Sequence, residues 1–462
     1  MAGPTAGGNR VRSITKVRVV ALLTALVLVL AACGSRSDDD DTAANDDEPS
    51  TEDGGDGGSA TGAGDTPCGE GDASGATDTG VTDDSISIGT IQDVGGQLRP
   101  DLMIGPRQAM EAFVAYCNSL GGVNGRELVL ETYDSAVLEH SRAAGEACAA
   151  NLFAMVGSAS AQDNQGGQQI VDCGLVDVPT FTATPDHADA DNMVQPIPNP
   201  TYEYNAGPCR YIAEEYPEAV ESAAVTYVEF PVTQIISDRF QEACGDVLSF
   251  ESSQGTSPVG QNNWEALLAS IEDEGAGYYT HWGEKEDLAQ ALTTMDQQGF
   301  RPEVIDVGPQ FYDPGLLELA GPSADGTLVW LGVVPLEEVD DNPEMQLYFE
   351  WLEREFPGAE PTALGVQTWS AGLLFATGVK ALGNEVTRQA LFEELSGVHE
   401  WDGDGLHFPS DPGANRAAHC FLYMVVEDGE FTRSYPDEGF DCDESYRVEL
   451  TGDYGQGATS SG

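Results

Sequence analysis

The chain has 462 residues, of which 79 are acidic and only 19 are Lys or Arg, for a formal net charge of −60 at pH 7. So few bases cannot cluster into a phosphate-binding face, which excludes nucleic acid as a partner. Hydrophobic residues make up 40% of the chain, enough for sizeable cores, and the acid excess reads as a hydrated, self-repelling surface rather than as the marker of a site.

The chain begins with a basic region, Arg10, Arg12, Lys16 and Arg18, followed by an apolar run from Val19 to Ala32 interrupted only by Thr24. The run is short for a membrane span and reads as an export signal. Its end, Leu30-Ala31-Ala32-Cys33-Gly34, resembles the lipobox of bacterial lipoproteins. That resemblance implies a signal peptide over residues 1–32, lipid on Cys33, and a location at the outer face of the cell membrane. Residues 33–82 are dominated by Asp, Gly, Ser and Thr with few apolar side chains, and are predicted to be a disordered acidic tether.

Alternating elements follow. Ser85-Ile86-Ser87-Ile88-Gly89 has strand periodicity, and Met110, Phe113, Val114 and Cys117 recur at helical spacing. A strand is predicted over Glu127 to Tyr133, a helix through Ala143 to Leu152, a strand over Phe153 to Gly157, and a further helix before the strand at Val178 to Phe181. A second run starts at Ala223 to Val228 and continues through strands at Gly277 to Thr280, Glu303 to Val307 and Thr327 to Val334, with helices between. The alternation predicts an α/β fold of two doubly wound parallel sheets.

With Cys33 assigned to lipid, eight cysteines remain: Cys68, Cys117, Cys148, Cys173, Cys209, Cys244, Cys420 and Cys442. An even number in an exported chain predicts disulfides, and four bridges allow 105 connectivities. Local pairs are the simplest expectation: Cys117 with Cys148, Cys209 with Cys244, Cys420 with Cys442. No Cys-x-x-Cys occurs and the six histidines are scattered, so no metal site is expected.

The stretch Asn118-Ser119-Leu120-Gly121-Gly122-Val123-Asn124-Gly125, followed by Tyr133-Asp134, resembles a signature of the leucine/isoleucine/valine-binding proteins. These are type I periplasmic binding proteins that serve ABC importers. Val156-Gly157-Ser158, Val178-Pro179, Thr182-Ala183-Thr184-Pro185 and Asp306-Val307-Gly308-Pro309 follow in the matching order. The resemblance implies two lobes joined by a three-crossover hinge: residues 83–200 in lobe 1, 201–334 in lobe 2, a lobe 1 return at 335–397, a lobe 2 tail at 398–450, and a disordered C-terminus at 451–462. A small polar solute, whether an amino acid, an amide or a carboxylate, would be captured between the lobes and passed to ABC permease subunits by a monomer.

Carried over by position, the resemblance assigns Ser158, Ser160 and Gln162 in one loop, and Thr182, Ala183 and Thr184 in the next, to a ligand carboxylate. In the second lobe, Gln310 stands where relatives that bind amino acids place the glutamate that meets an ammonium group. Glu229, Glu284 and Asp313 are candidates to replace it. The tyrosine expected after the first strand of this lobe is replaced by Phe230-Pro231-Val232, while His281 and Trp282 are placed to offer an aromatic wall. No hydrolase, phosphate-loop or metalloprotease motif is present, so the expectation is a binding protein without enzyme activity or cofactor. Presentation of the solute to a membrane sensor is the alternative use of the same fold.

Overall fold

The computed structural model describes residues 66–454, apart from residues 98, 259 and 261. The signal peptide, Cys33 and residues 33–65 of the tether lie outside the described residues.

The first sheet holds β1 (Ser85–Gln92), β2 (Glu127–Asp134), β3 (Ala154–Val156) and β4 (Val176–Val178), separated by α1 (Ile104–Ser119), α2 (His140–Ala149) and the short α3 (Gly167–Asp172). Its order is β2-β1-β3-β4 and all pairings are parallel. Ile86 and Ile88 of β1 are fully buried against Ala109, Met110 and Phe113 of α1, whereas Ile91, of opposite parity, packs with Ala143, Ala147 and Met155 on the α2 side. Alternation along one strand thus puts the two helices on opposite faces of the sheet. The turn from α1 to β2 needs its glycines: Gly122 has φ +75°, and a Cβ there would run into the Arg126 carbonyl.

After α4 (Pro185–Ala188), β5 (Glu203–Asn205) and α5 (Gly207–Glu215), the chain builds a second sheet. It comprises β6 (Ala223–Val228), β7 (Phe250–Thr256), β8 (Tyr278–Trp282), β9 (Val304–Val307) and β10 (Thr327–Leu331), connected by α6 (Pro231–Cys244), α7 (Trp264–Asp273), α8 (Lys285–Gln298) and α9 (Pro314–Ala320). These five strands run parallel in the order β7-β6-β8-β9-β10. In both sheets the order reverses beside the first strand, which opens a crevice at the carboxyl ends of the strands.

Next come α10 (Pro343–Glu355), α11 (Ala363–Leu382) and α12 (Arg388–Leu395). They return to the first sheet: Trp369 of α11 meets Phe113 edge-on at 5.3 Å and stacks with Tyr116 at 5.5 Å. Gly372 leaves the room that the Phe113 ring occupies. The chain then crosses back and extends the second sheet: β11 (Cys420–Glu427) pairs antiparallel with β10, and β12 (Glu430–Tyr435) pairs antiparallel with β11. A two-residue strand, β13 (Asp441–Cys442), pairs with β11, and β14 (Arg447–Glu449) pairs with β5. Three passages between the sheets result.

Several expectations are corrected. Residues 66–82 are not a free tether: Cys68 is bonded to Cys117, and the buried Arg126 guanidinium donates to the carbonyls of Gly75, Thr82 and Gly383 at 3.0–3.1 Å. A disulfide and hydrogen bonds to a buried arginine hold this segment, whose few apolar side chains include Val81 in the core. At the other end, Thr451 and Gly452 donate backbone N–H groups to Glu242, so order extends beyond residue 450. The pairs Cys209–Cys244 and Cys420–Cys442 are as expected. Cys117 and Cys148 do not pair, because α1 and α2 lie on opposite faces of the first sheet, and Cys148 bonds instead to Cys173 at the end of α3.

Candidate functional site

A cavity of about 260 Å³ lies between the two lobes at the carboxyl ends of their strands. The first lobe contributes Met103, Ala161 and Phe181 from the loops after β1, β3 and β4, with Leu364 and Gln367 from the start of α11. From the second lobe come Trp282 at the end of β8, Gln310 after β9, and one face of α6. Five aromatic rings stand in the wall: Tyr204, Trp330 and Phe408 join Phe181 and Trp282. Such a surface recovers hydrophobic free energy from an apolar body, and side-chain amides supply orientation.

Two charged side chains occur among the described residues of the lining, Arg239 and Glu284. Arg239 lies on the apolar stripe of α6, which also carries Val232, Ile235 and Phe240, and only 1% of it is exposed. Its Nη2 donates to Asn199 Oδ1 at 3.2 Å and to the carbonyls of Pro200 and Glu203. The guanidinium carbon stands 5.8 Å over the Tyr204 ring, and Nε is buried without an acceptor. Burial pulls its pKa below the usual value, with Tyr204 and Asp189 opposing the shift.

Glu284 stands at the N-terminus of α8. Burial pushes its carboxyl up to about 7, against the opposing pull of Arg99. Arg99 itself reaches from the loop after β1 to Asp287 of α8, a 3.5 Å ion pair between the two lobes. Of the other candidates to replace the missing glutamate, Asp313 caps α9 and pairs with Lys285 at 2.6 Å, while Glu229 is exposed.

The loops of the first lobe are arranged differently from the expectation. Ser158, Ser160, Gln162, Thr182, Ala183 and Thr184 are all buried and none lines the cavity. Internal acceptors take their donors. Asp163 accepts from the Ala183 N–H and the Thr184 hydroxyl, each at 2.8 Å. Asp93 accepts from the Ala161 N–H at 2.7 Å and from Ser135, whose hydroxyl lies 2.8 Å from that of Ser160. Ser158 accepts the Ile91 N–H, and Thr182 donates to Gln195. The Thr182, Ala183 and Thr184 donors predicted for a ligand carboxylate are thus already satisfied by the protein's own side chains.

Trp282 and Gln310 line the cavity, and His281 does not. Its side chain leaves the opposite face of β8, where Nδ1 meets Thr226 Oγ1 at 2.8 Å and the ring packs against Trp264 and Phe311. Burial holds its pKa down to about 3. Arg239 was missed in the sequence, although its signal is present there: a scarce cation on the apolar stripe of a helix. The Asp306 motif proves to be a packing device, accepting from the Tyr278 and Tyr423 hydroxyls at 2.8 and 3.1 Å and tying three strands together.

Two doubly wound lobes with a partly apolar cavity at their crevice define a solute-binding protein. The profile of the periplasmic binding protein family matches residues 85–430, and the chain belongs to that family. The Leu/Ile/Val-binding protein homolog 1 of Brucella melitensis is 25% identical over 175 residues, 38% of this chain and 45% of the relative. A Brucella suis homolog of the same name matches equally. The chain therefore spans less than half the length of the curated relatives it matches.

Among solved structures, a branched-chain amino acid ABC transporter protein from Thermus thermophilus with bound valine is similar at 16% identity and TM-score 0.66, covering 78% of this chain and 97% of its own. A fatty acid ABC transporter substrate-binding protein from Thermomonospora curvata has 17% identity and TM-score 0.66, with coverages of 80% and 95%. A solute-binding protein from R. palustris in complex with benzoate has 16% identity and TM-score 0.63, with coverages of 78% and 98%. At such identities the likeness is one of fold, the type I periplasmic binding protein fold.

Proposed function

We propose that this protein is the extracytoplasmic solute receptor of an ABC importer, a monomer held at the outer face of the cell membrane by lipid on Cys33. Its two lobes close on a small solute with an apolar or aromatic body. The observation that carries this reading is the aromatic-walled cavity to which both lobes contribute, because a ligand touching both favours the closed arrangement and so reports its own presence. The family supports solute binding, and neighbours whose ligands range from valine to benzoate support a fold that accepts varied small solutes. Lipobox-like residues ahead of Cys33 support the anchor.

A thermal-shift screen of the protein against amino acids, amides, short and aromatic carboxylates tests the reading. A ligand at one hundred times its dissociation constant adds about 2.7 kcal/mol to folded-state stability. Stabilisation by one chemical class is the expected result, and absence of any shift in cooperatively melting protein overturns it. Replacement of Cys33 by Ser is expected to release the chain from membranes.

A further inference from the structure

Resting on the receptor reading above, we propose that the solute is a monocarboxylate with an apolar body, and that Arg239 of the second lobe, rather than the loops of the first, takes its acid group.

Three observations converge. First, the first-lobe donors that would hold an acid group are closed to it. Ala183 N–H and the Thr184 hydroxyl bind Asp163, and the Ala161 N–H binds Asp93. An incoming anion would have to displace a buried carboxylate and would meet its charge.

Second, Arg239 is a buried cation without a carboxylate partner. Among the described residues it makes no ion pair within 4 Å; its Nη2 contacts are a side-chain amide and two backbone carbonyls, and its Nε is unpaired. Burying a charge with no counter-ion in contact is costly, and Asp189 opposes that cost only from beyond 4 Å. A carboxylate placed against the guanidinium from the cavity removes that cost and forms charge-assisted hydrogen bonds.

Third, the surroundings select the rest of the solute. Trp282, Tyr204 and Trp330 line the same cavity as Arg239, so the body that follows the carboxylate is apolar. With Nη2 already committed to the hinge segment, the guanidinium has capacity for a single acid group. A phosphate or dicarboxylate would leave negative charge without a second cation among the described lining residues.

The test uses isothermal titration of the full chain with pairs of equal shape: benzoate against benzamide, hexanoate against hexanamide, and leucine as the zwitterion. The expected result is that a carboxylate binds at least tenfold more tightly than its amide, and that Arg239→Gln removes this preference. The selectivity ratio separates solute contact from a role of Arg239 in merely pinning Pro200 and Glu203, because a hinge defect weakens both members of a pair equally. Arg239→Lys, which keeps the charge, is expected to retain the preference and serves if Arg239→Gln does not fold. Amides bound as tightly as acids, or a preference unchanged in Arg239→Gln, would overturn the assignment while leaving the receptor reading intact. Absence of binding by any solute overturns both.

Discussion

The Thr184 hydroxyl donates to Asp163 Oδ1 at 2.8 Å, so a hydroxyl that the family resemblance assigns to a ligand's acid group is bound to an acid of the protein itself. The other oxygen of Asp163 faces His187 Nδ1 at 3.2 Å, and His187 Nε2 faces Asp177 at 2.8 Å. A buried carboxylate–imidazole–carboxylate chain therefore underlies the first lobe's side of the cavity. Between two acids His187 is held protonated: although burial works against the charge, the two carboxylates lift its pKa to about 10.

Replacing His187 with Phe is expected to destabilise the protein by about 3–5 kcal/mol, the usual cost of stranding a buried charge, read by urea denaturation. The wild-type contribution has a defined pH window. Because the folded pKa lies above the free imidazole value of 6.5, the stabilisation is fully present below pH 6.5 and is lost as pH rises through 10. The phenylalanine variant should lack this slope, and an unchanged slope would refute the charged assignment.

Glu284 makes carboxylate binding sensitive to pH. Its pKa of about 7 is set by burial, lowered by Arg99 and Lys285, and raised by Glu286 and Asp287. Below pH 7 it is neutral beside the cavity; above, it is an anion sharing the lining with Arg239. Affinity for a carboxylate should therefore fall as pH rises through about 7, and titration of Glu284→Gln should show a flat profile. The sign for stability runs the same way: an acid whose folded pKa exceeds its free value of 4.5 stabilises the fold below that value and loses the contribution as pH rises through 7.

Trp282→Ala should weaken solute binding at least tenfold while melting remains cooperative, measured by titration alongside circular dichroism. The ring also packs 5.5 Å from Phe240, so a stability loss of about 3–5 kcal/mol accompanies it, as for other buried aromatic truncations. Unchanged affinity in folded protein would remove Trp282 from the site.

Breaking the Cys68–Cys117 bridge with Cys68→Ala should cost about 2–5 kcal/mol and make residues 66–82 sensitive to protease, read by limited digestion and mass spectrometry. The Arg126 contacts alone are expected to hold Gly75 and Thr82 less firmly. Resistance equal to wild type would show that the hydrogen bonds suffice.

Much of the scaffold was legible. Strand periodicity at Ser85 to Gly89, the helical spacing of Met110, Phe113 and Cys117, and the alternation of elements identified two parallel sheets, since burial on fixed faces imposes a period on the chain. The turn at Gly121 to Gly125 was legible because its backbone admits little else. Two of the short-range disulfides were legible too, Cys209–Cys244 and Cys420–Cys442, whereas Cys148–Cys173 was not.

What depends on which face a residue occupies was not legible. Cys117 and Cys148 are close in sequence, yet the sheet separates them. The Asp-, Gly- and Thr-rich segment at 66–82 carries no apolar period, because a distant cysteine and a buried arginine hold it.

By itself the sequence determined the class of protein, through the alternation of its elements and the ordered motifs of a two-lobed binder, all of them local patterns along the chain. Only the tertiary structure decided the chemistry of the cavity. Asp163 and Asp93 reach across loops to satisfy the donors of the first lobe, and Arg239 is left buried without a carboxylate partner against Tyr204. Whether a polar group is free to meet a solute depends on the partners that folding brings to it, and those partners are set by three-dimensional packing rather than by spacing along the chain.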